Sequence, residues 1–301
     1  MNILVTVDDN YVRPLRVMLD SFFRWNAKEK VTVYLFYAKV NTENRRLLAD
    51  QIHAYGAAFE AVEIQDDFFA DAPVLRYFPR EMYFRLLCAQ YMPKTEKRVL
   101  YLDPDMLIFA PLHQLYHMDL HGKTIGAVPD FAVENLMPEC MQKIGLKKGK
   151  RYVNSGMLLI DLVRMREVFS MEKAKKILEA SGNVFSFPDQ DLINLYFQDD
   201  IRYLKRTYNY NCGYGSAKEF VRYLLQFPKK VPVIAHYMGE TKPWTPQYYG
   251  KYGRLYYRYL KRYLKPEEKR SFRFRLWYRG KKFTKALIRL GRKSVDGRNH
   301  I

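Results

Sequence analysis

Apolar and polar positions alternate between two periods along the first hundred residues. Residues 3–7 (Ile-Leu-Val-Thr-Val) are an apolar run that predicts a buried strand, closed by Asp8-Asp9-Asn10. Residues 12–25 then set Val12, Leu15, Leu19, Phe22 and Phe23 toward one side at helical spacing, and Pro14 is tolerated because it falls in the first turn. A second strand is predicted over 31–37, a helix from Asn41 or Thr42 to about Tyr55, and a third strand over 58–64. A helix over 80–91 and a fourth strand over 98–102 follow. Beyond residue 110 the pattern mixes: strands over 124–128 and 157–161, helices over 170–180 and 189–197, and a late strand over 231–235 that runs into His236.

Such alternation predicts an α/β fold, a mostly parallel sheet with helices on both faces. In open sheets of this kind ligands bind beyond the carboxyl ends of the strands, at the point where strand order reverses. Two acidic clusters fall at such ends, Asp8-Asp9 after the first strand and Asp103/Asp105 after the fourth.

Composition sharpens this in three ways. A chain of 301 residues that is 48% hydrophobic can bury a large core, in one α/β domain with an appendage or in two domains. No basic leader and cleavage site precede the first strand, and the longest apolar runs are far shorter than the roughly 20 residues a bilayer span needs. The three cysteines are widely spaced without a Cys-x-x-Cys, which fits a reducing cytoplasm and no zinc or disulfide framework. The net charge of +19 is concentrated at one end: residues 251–301 hold 18 Lys and Arg against 3 Asp and Glu, while the other 250 residues hold 33 against 29. A partner that reads charge would therefore meet the C-terminal segment, not the body.

The richest chemistry lies in Tyr101-Leu102-Asp103-Pro104-Asp105. In extended chain, positions i and i+2 point the same way, so both carboxylates can converge on one cation. Hard oxygen ligands suit Mg²⁺ or Mn²⁺ bridging a diphosphate. Two solvated turn acids beside a proline would look the same, so the pair needs support from elsewhere. His236, at the end of the late strand, offers an imidazole that leans the set toward Mn²⁺. It opens His236-Tyr237-Met238-Gly239-Glu240-Thr241-Lys242-Pro243-Trp244, where Gly239 permits close backbone approach and Lys242 offers a point charge for a phosphate.

Taken in order, six segments resemble glycosyltransferase family 8, the group that contains the bacterial lipooligosaccharide galactosyltransferase and glycogenin. They are Val7-Asp8-Asp9-Asn10-Tyr11, Tyr83-Phe84-Arg85-Leu86, the Asp103-Pro104-Asp105 segment, Tyr152 through Ile160 with its Asn154-Ser155-Gly156, Asp189-Gln190-Asp191, and the His236 to Trp244 segment. The resemblance implies a Rossmann-like nucleotide-sugar-binding fold of GT-A type with a mixed central sheet over residues 1–245. It implies that Thr6, Asp8 and Asn10 hold the uracil and ribose of UDP, where the plain alternative is a turn and helix cap. Arg85 would reach the sugar and diphosphate, and Asn154, Gly156 and Asp189 would line the donor sugar. Asp103, Pro104, Asp105, His236, Gly239 and Lys242 would form the metal and diphosphate end. Asp130 would lie on the acceptor side.

The activity so implied is retaining transfer of a hexose from UDP-galactose or UDP-glucose to a glycan or glycolipid hydroxyl, with Mn²⁺ or Mg²⁺ as cofactor, in cell-surface polysaccharide or lipopolysaccharide synthesis. A double displacement would need a carboxylate nucleophile beside the anomeric carbon. The family position nearest the reacting face is an amide, here Gln190. That favours front-face attack, with Gln190 stabilising positive charge on the sugar.

Residues 246–301 read as a basic, aromatic tail. Over 266–293, helical spacing would put Leu276, Phe283, Leu287 and Leu290 on one face with Lys281, Lys282, Lys285 and Arg289 around them. That combination over 251–293 suits an anionic membrane surface on the cytoplasmic side of the cell membrane. A nucleic-acid-binding protein acting through the same tail is the competing reading; the near-neutral body and its acidic clusters speak against it. A nucleotidyltransferase would need a glycine-rich loop after the first strand, and residues 8–16 contain no glycine.

Overall fold

The structure, a computed structural model, describes residues 1–65, 80–182, 184–212, 232–245, 248 and 252–269. In chain order the strands are β1 (Asn2–Thr6), β2 (Thr32–Tyr37), β3 (Ala58–Glu63), β4 (Arg98–Leu102), β5 (Met106–Ile108), β6 (Ile125–Pro129), β7 (Val153–Asp161), β8 (Ile201–Tyr203), β9 (Tyr210–Asn211) and β10 (Ile234–His236). The helices are α1 (Val12–Asn26), α2 (Thr42–Ala54), α3 (Cys88–Tyr91), α4 (His113–Tyr116), α5 (Phe131–Leu136), α6 (Pro138–Lys143), α7 (Leu162–Val168), α8 (Met171–Ser181), α9 (Pro188–Tyr196) and α10 (Gly253–Leu260).

A seven-stranded sheet runs in the order β3-β2-β1-β4-β7-β6-β8. β3, β2, β1 and β4 are mutually parallel, β7 is antiparallel to both β4 and β6, and β8 is parallel to β6. The expected mixed α/β sheet is therefore present, with β7 the reversed strand. β1 is buried on both faces, as a central parallel strand covered by helices must be. Ile3 and Val5 enter one apolar cluster with Phe22, Phe23, Leu48 and Ile52, while Leu4 enters the opposite one with Phe36, Tyr101 and Leu158. Strand order reverses between β1 and β4, so the crevice at their carboxyl ends is the expected ligand position.

A second sheet, of three strands in the order β5-β10-β9, lies beyond that crevice. β4 ends at Leu102 in the large sheet and β5 begins at Met106 in the small one. Asp103-Pro104-Asp105 is thus the step from one sheet to the other. β10 pairs antiparallel with β5, placing His236 opposite Met106. These three short strands do not show in the apolar pattern, apart from the late strand expected over 231–235.

One expectation changes. Residues 80–91 are not one α-helix: Arg80–Leu87 winds as a 3-10 helix and only Cys88–Tyr91 is α. Met82 through Cys88 are all buried, so the segment has no solvent face for a 3.6-residue period to express. Over residues 252–269 the basic C-terminal segment packs on the body. Tyr252, Tyr256, Leu260 and Leu264 join Val17, Tyr237 and Tyr248 in one buried cluster, with Trp244 packed against it. Arg262 reaches buried Asp20 at 2.7 Å, Arg16 stacks on Tyr263, and Arg13 pairs with Glu268. The face expected from Leu276, Phe283, Leu287 and Leu290 lies outside the described residues. No described helix is long and apolar enough to cross a membrane. Cys88, Cys140 and Cys212 are buried free thiols.

Candidate active site

The carboxyl ends of β1 and β4, the amino end of β7 and the amino end of α9 surround a cavity of about 350 Å³. Thr6, Asp8, Arg85, Asp103, Pro104, Asp105, Asp130, Asn154, Asp189, Gln190, His236, Gly239 and Lys242 all line it. Two residues of the expected set do not. Asn10 is exposed and donates to Asp8 Oδ2 at 3.0 Å, so it orients Asp8 from outside. Gly156 faces the back of His236 and Asp103: a Cβ built there would stand 2.3 Å from His236 Cε1 and 2.5 Å from Asp103 Oδ2. Gly239 is required for a different reason, a φ of +81° in the left-handed region.

At one end, ligand atoms of Asp103, Asp105 and His236 lie within 4.8 Å of one another, the one such trio found among the described residues. His236 Nε2 is 3.1 Å from Asp105 Oδ1 and 3.5 Å from Asp103 Oδ2. Lys242 Nζ holds the other oxygen of Asp105 at 2.5 Å and also donates to the Tyr237 carbonyl. Burial alone would raise the Asp105 pKa, but the Lys242 ammonium and His236 outweigh it and hold the carboxyl well below the usual carboxylate range. Burial would lower Lys242, and Asp105 overrides it to push the ammonium pKa up. Two carboxylate oxygens and an imidazole nitrogen facing one buried point fit a small divalent cation.

Arg85 ties this end to the next. It is buried, with Nε on the Met82 carbonyl at 2.7 Å and Nη1 on the Ser155 carbonyl at 2.6 Å. Its Nη2 lies 3.4 Å from Asp103 Oδ1 and 3.5 Å from Asp189 Oδ2, and the guanidinium stacks 4.2 Å over Tyr101. Arg85 thus lies between two carboxylates and lines the cavity. Tyr101 donates to Asp103 at 2.6 Å. Burial raises the Asp189 pKa against the pull of Arg85.

At the far end, Gln190 Oε1 accepts from Asn154 Nδ2 at 2.8 Å and from the Ser155 N–H at 3.1 Å. Asp130 caps α5 through Oδ1 and accepts from Asn154 through Oδ2 at 3.2 Å. Asp191 points away: it accepts from Tyr152 and from the Ser186 and Phe187 N–H groups and does not line the cavity.

Sequence reasoning did not single out Tyr11, Ser155, Phe187 or Asn211, which also line the cavity. Tyr101 precedes Asp103 by two positions on one strand face, a spacing that could have found it. Asn209, buried behind His236, carries no local signal.

A GT-A-type α/β fold with this crevice and this cluster is that of a glycosyltransferase. The family model for glycosyl transferase family 8 matches residues 2–247, and the chain belongs to that family. It is 28% identical to the lipopolysaccharide 1,2-glucosyltransferase of Escherichia coli (strain K12) over 249 residues, which cover 81% of this chain and 72% of that protein. It is 29% identical to the glycosyltransferase GlyF of Streptococcus pneumoniae serotype 4 over 81% of this chain, and spans 57% of the length of GlyF. Among solved structures it is similar to the galactosyltransferase LgtC in complex with donor and acceptor sugar analogues. The TM-score is 0.78 at 25% identity, over 90% of this chain and 99% of LgtC.

Proposed function

We propose that this glycosyltransferase is a retaining hexosyltransferase moving galactose or glucose from a UDP-sugar to a hydroxyl of a glycan or glycolipid. The lipopolysaccharide and galactosyl relatives support an acceptor of that class, in lipopolysaccharide or other cell-surface polysaccharide synthesis. One observation carries the reading: Asp103, Asp105 and His236 converge beside a cavity large enough for a sugar and a diphosphate.

Mn²⁺ or Mg²⁺ held by Asp103, Asp105 and His236 would neutralise the charge that builds on the departing diphosphate. Lys242 uses two N–H donors on Asp105 and Tyr237 and keeps a third for a phosphate oxygen. Pro104 stiffens the step that spaces the two acids. Gly239 lets the backbone turn beside Lys242. Thr6 and Asp8, the latter oriented by Asn10, bind the uridine. Arg85, which lines the cavity between Asp103 and Asp189, reaches the sugar and diphosphate of the donor. Asn154 and Asp189 receive the sugar hydroxyls, Gly156 keeps room behind them, and Asp130 faces the acceptor.

Retention follows from front-face attack. The cavity carboxylates near the sugar are already engaged, Asp130 by α5, Asn154 and Gln190, and Asp189 by Ser155 and Arg85. An amide is a poor nucleophile, so Gln190 serves to stabilise positive charge on the sugar, with the leaving diphosphate taking the acceptor proton.

Residues 251–293 are assigned to an anionic membrane surface on the cytoplasmic inner face of the cell membrane. Arg254, Arg258, Lys261 and Lys265 are exposed beside the seated face of α10. Each such charge near an anionic surface is worth about 1 kcal/mol.

The test is slow release of UDP from UDP-glucose or UDP-galactose in the presence of Mn²⁺ and without acceptor. No release from either donor, together with no UDP binding, sinks the reading.

A further inference from the structure

The hydrogen bonds behind His236 run in one direction. The Gly156 N–H lies 3.0 Å from Asn154 Oδ1, and a backbone amide can only donate. Asn154 Oδ1 is therefore an acceptor, and the Asn209 group facing it at 2.8 Å is the Nδ2 amide. Asn209 must then turn its own oxygen to His236 Nδ1, 2.9 Å away, and that nitrogen must carry the proton. His236 held in this way turns Nε2 to the space between Asp103 and Asp105. The other side of Asn154 is tied as firmly, by Nδ2 donating to Gln190 Oε1 and Asp130 Oδ2.

All members of the chain are buried: Asn154 is 8% exposed, Asn209 3% and His236 3%, which leaves little room for water to substitute. Gly156 supplies the steric half. Any side chain there would collide with His236 and Asp103, so the N–H that sets the direction comes close only from a bare glycine.

We propose that Asn209 is a positioning residue of the metal site. It fixes His236 as the Nδ1–H tautomer and fixes its ring plane, and the Gly156–Asn154 pair in turn fixes Asn209. This rests on the reading of His236 as a metal ligand. A ligating histidine needs its other nitrogen held, and losing such a partner typically weakens metal binding about 10–100-fold. The same chain joins the metal end to Gln190 and Asp130 at the sugar end, through one asparagine.

The experiment uses the full chain labelled with ¹⁵N-histidine. His236 is assigned among the chain's six histidines by its loss in His236→Gln. Long-range ¹H–¹⁵N spectra of the metal-free wild type are expected to show a protonated, pyrrole-type Nδ1. Free Mn²⁺, followed by its EPR signal, is expected to report about 10–100-fold weaker binding in Asn209→Ala. Asn209→Asp, which keeps an acceptor for Nδ1, is expected to retain the tautomer and to bind more tightly than Asn209→Ala. A wild-type His236 whose Nδ1 carries no proton, or wild-type Mn²⁺ affinity in a folded Asn209→Ala, overturns the proposal alone. If Asn209→Ala does not fold, the wild-type tautomer still decides. A wild type that binds no Mn²⁺ while showing the expected tautomer overturns the metal reading beneath, and this proposal with it.

Discussion

Asp8-Asp9 and Asp103/Asp105 occupy matching places, at the carboxyl ends of adjacent parallel strands whose register sets Ile3 beside Leu100. In sequence they read alike. In the structure their partners differ. Asp9 is exposed and accepts from the Asn41 N–H, Asn41 Nδ2 and Asn44 Nδ2 at 2.7–3.0 Å, which fastens the start of α2. Asp8 caps its own turn through the Tyr11 N–H and shows one edge to the cavity. Asp105 is buried, and its partners His236 and Lys242 come from more than 130 residues away. An acid served by nearby backbone and amide donors is a structural fastening. An acid buried between an imidazole at the end of the second sheet and the ammonium of Lys242 is poised for a ligand, because water no longer screens its charge.

The contrast breaks most visibly at Asp105. Asp105→Ala leaves the Lys242 ammonium buried without its carboxylate, and loss of one partner of such a pair costs roughly 3–5 kcal/mol. Urea melts should show that loss. The milder Asp105→Asn should keep the fold and lower Mn²⁺-dependent UDP release by about 10²–10³-fold.

Gly156→Ala comes next. Its methyl would displace His236 and Asp103 by an ångström or so, and a misplacement of that size can cost about 10²-fold in rate. Donor hydrolysis should fall while circular dichroism stays native. Removing the cation with EDTA should mimic Asp105→Asn in the wild type, and Mn²⁺ should restore it.

Asp9→Ala should do the opposite of Asp105→Asn: about 1 kcal/mol of stability lost, with donor hydrolysis unchanged. The smallest effect is in acid. The hydrogen bond from Asn44, with those from Asn41, holds the Asp9 pKa below its ordinary value against the opposing effect of burial. A depressed carboxyl contributes its stability fully above the unfolded pKa of about 3.9 and loses it as pH falls through the folded value. Asp9→Asn should therefore flatten the stability profile below about pH 4 and leave the neutral side level.

The large sheet was legible because its central strands are apolar on both faces: β1, β2 and β4 appear as runs with sharp acidic or polar ends. The small sheet was not, because strands of two or three residues such as β5 and β9 show no period. The step between sheets was visible only as its chemistry, Asp103-Pro104-Asp105. Seating of α10 was hidden by charge. Tyr252, Tyr256, Leu260 and Leu264 recur every four positions, yet the arginines and lysines between them dominate the text. Of the site, Asp103, Asp105 and His236 could be found from strand ends and residue type. Asn209 could not, since its meaning lies in hydrogen bonds to Asn154 and His236, which are distant in sequence. Arg85 was found as a cavity residue, and its place between Asp103 and Asp189 was not.

The central claim is that Asp103, Asp105 and His236 converge on one divalent cation. Calorimetric titration of Mn²⁺ into the UDP-saturated wild type, His236→Gln and the Asp103→Asn/Asp105→Asn double variant tests it most directly. The expected result is one site per chain in the wild type, weakened in His236→Gln and absent in the double variant. Equal binding in all three, or none in the wild type, would contradict it.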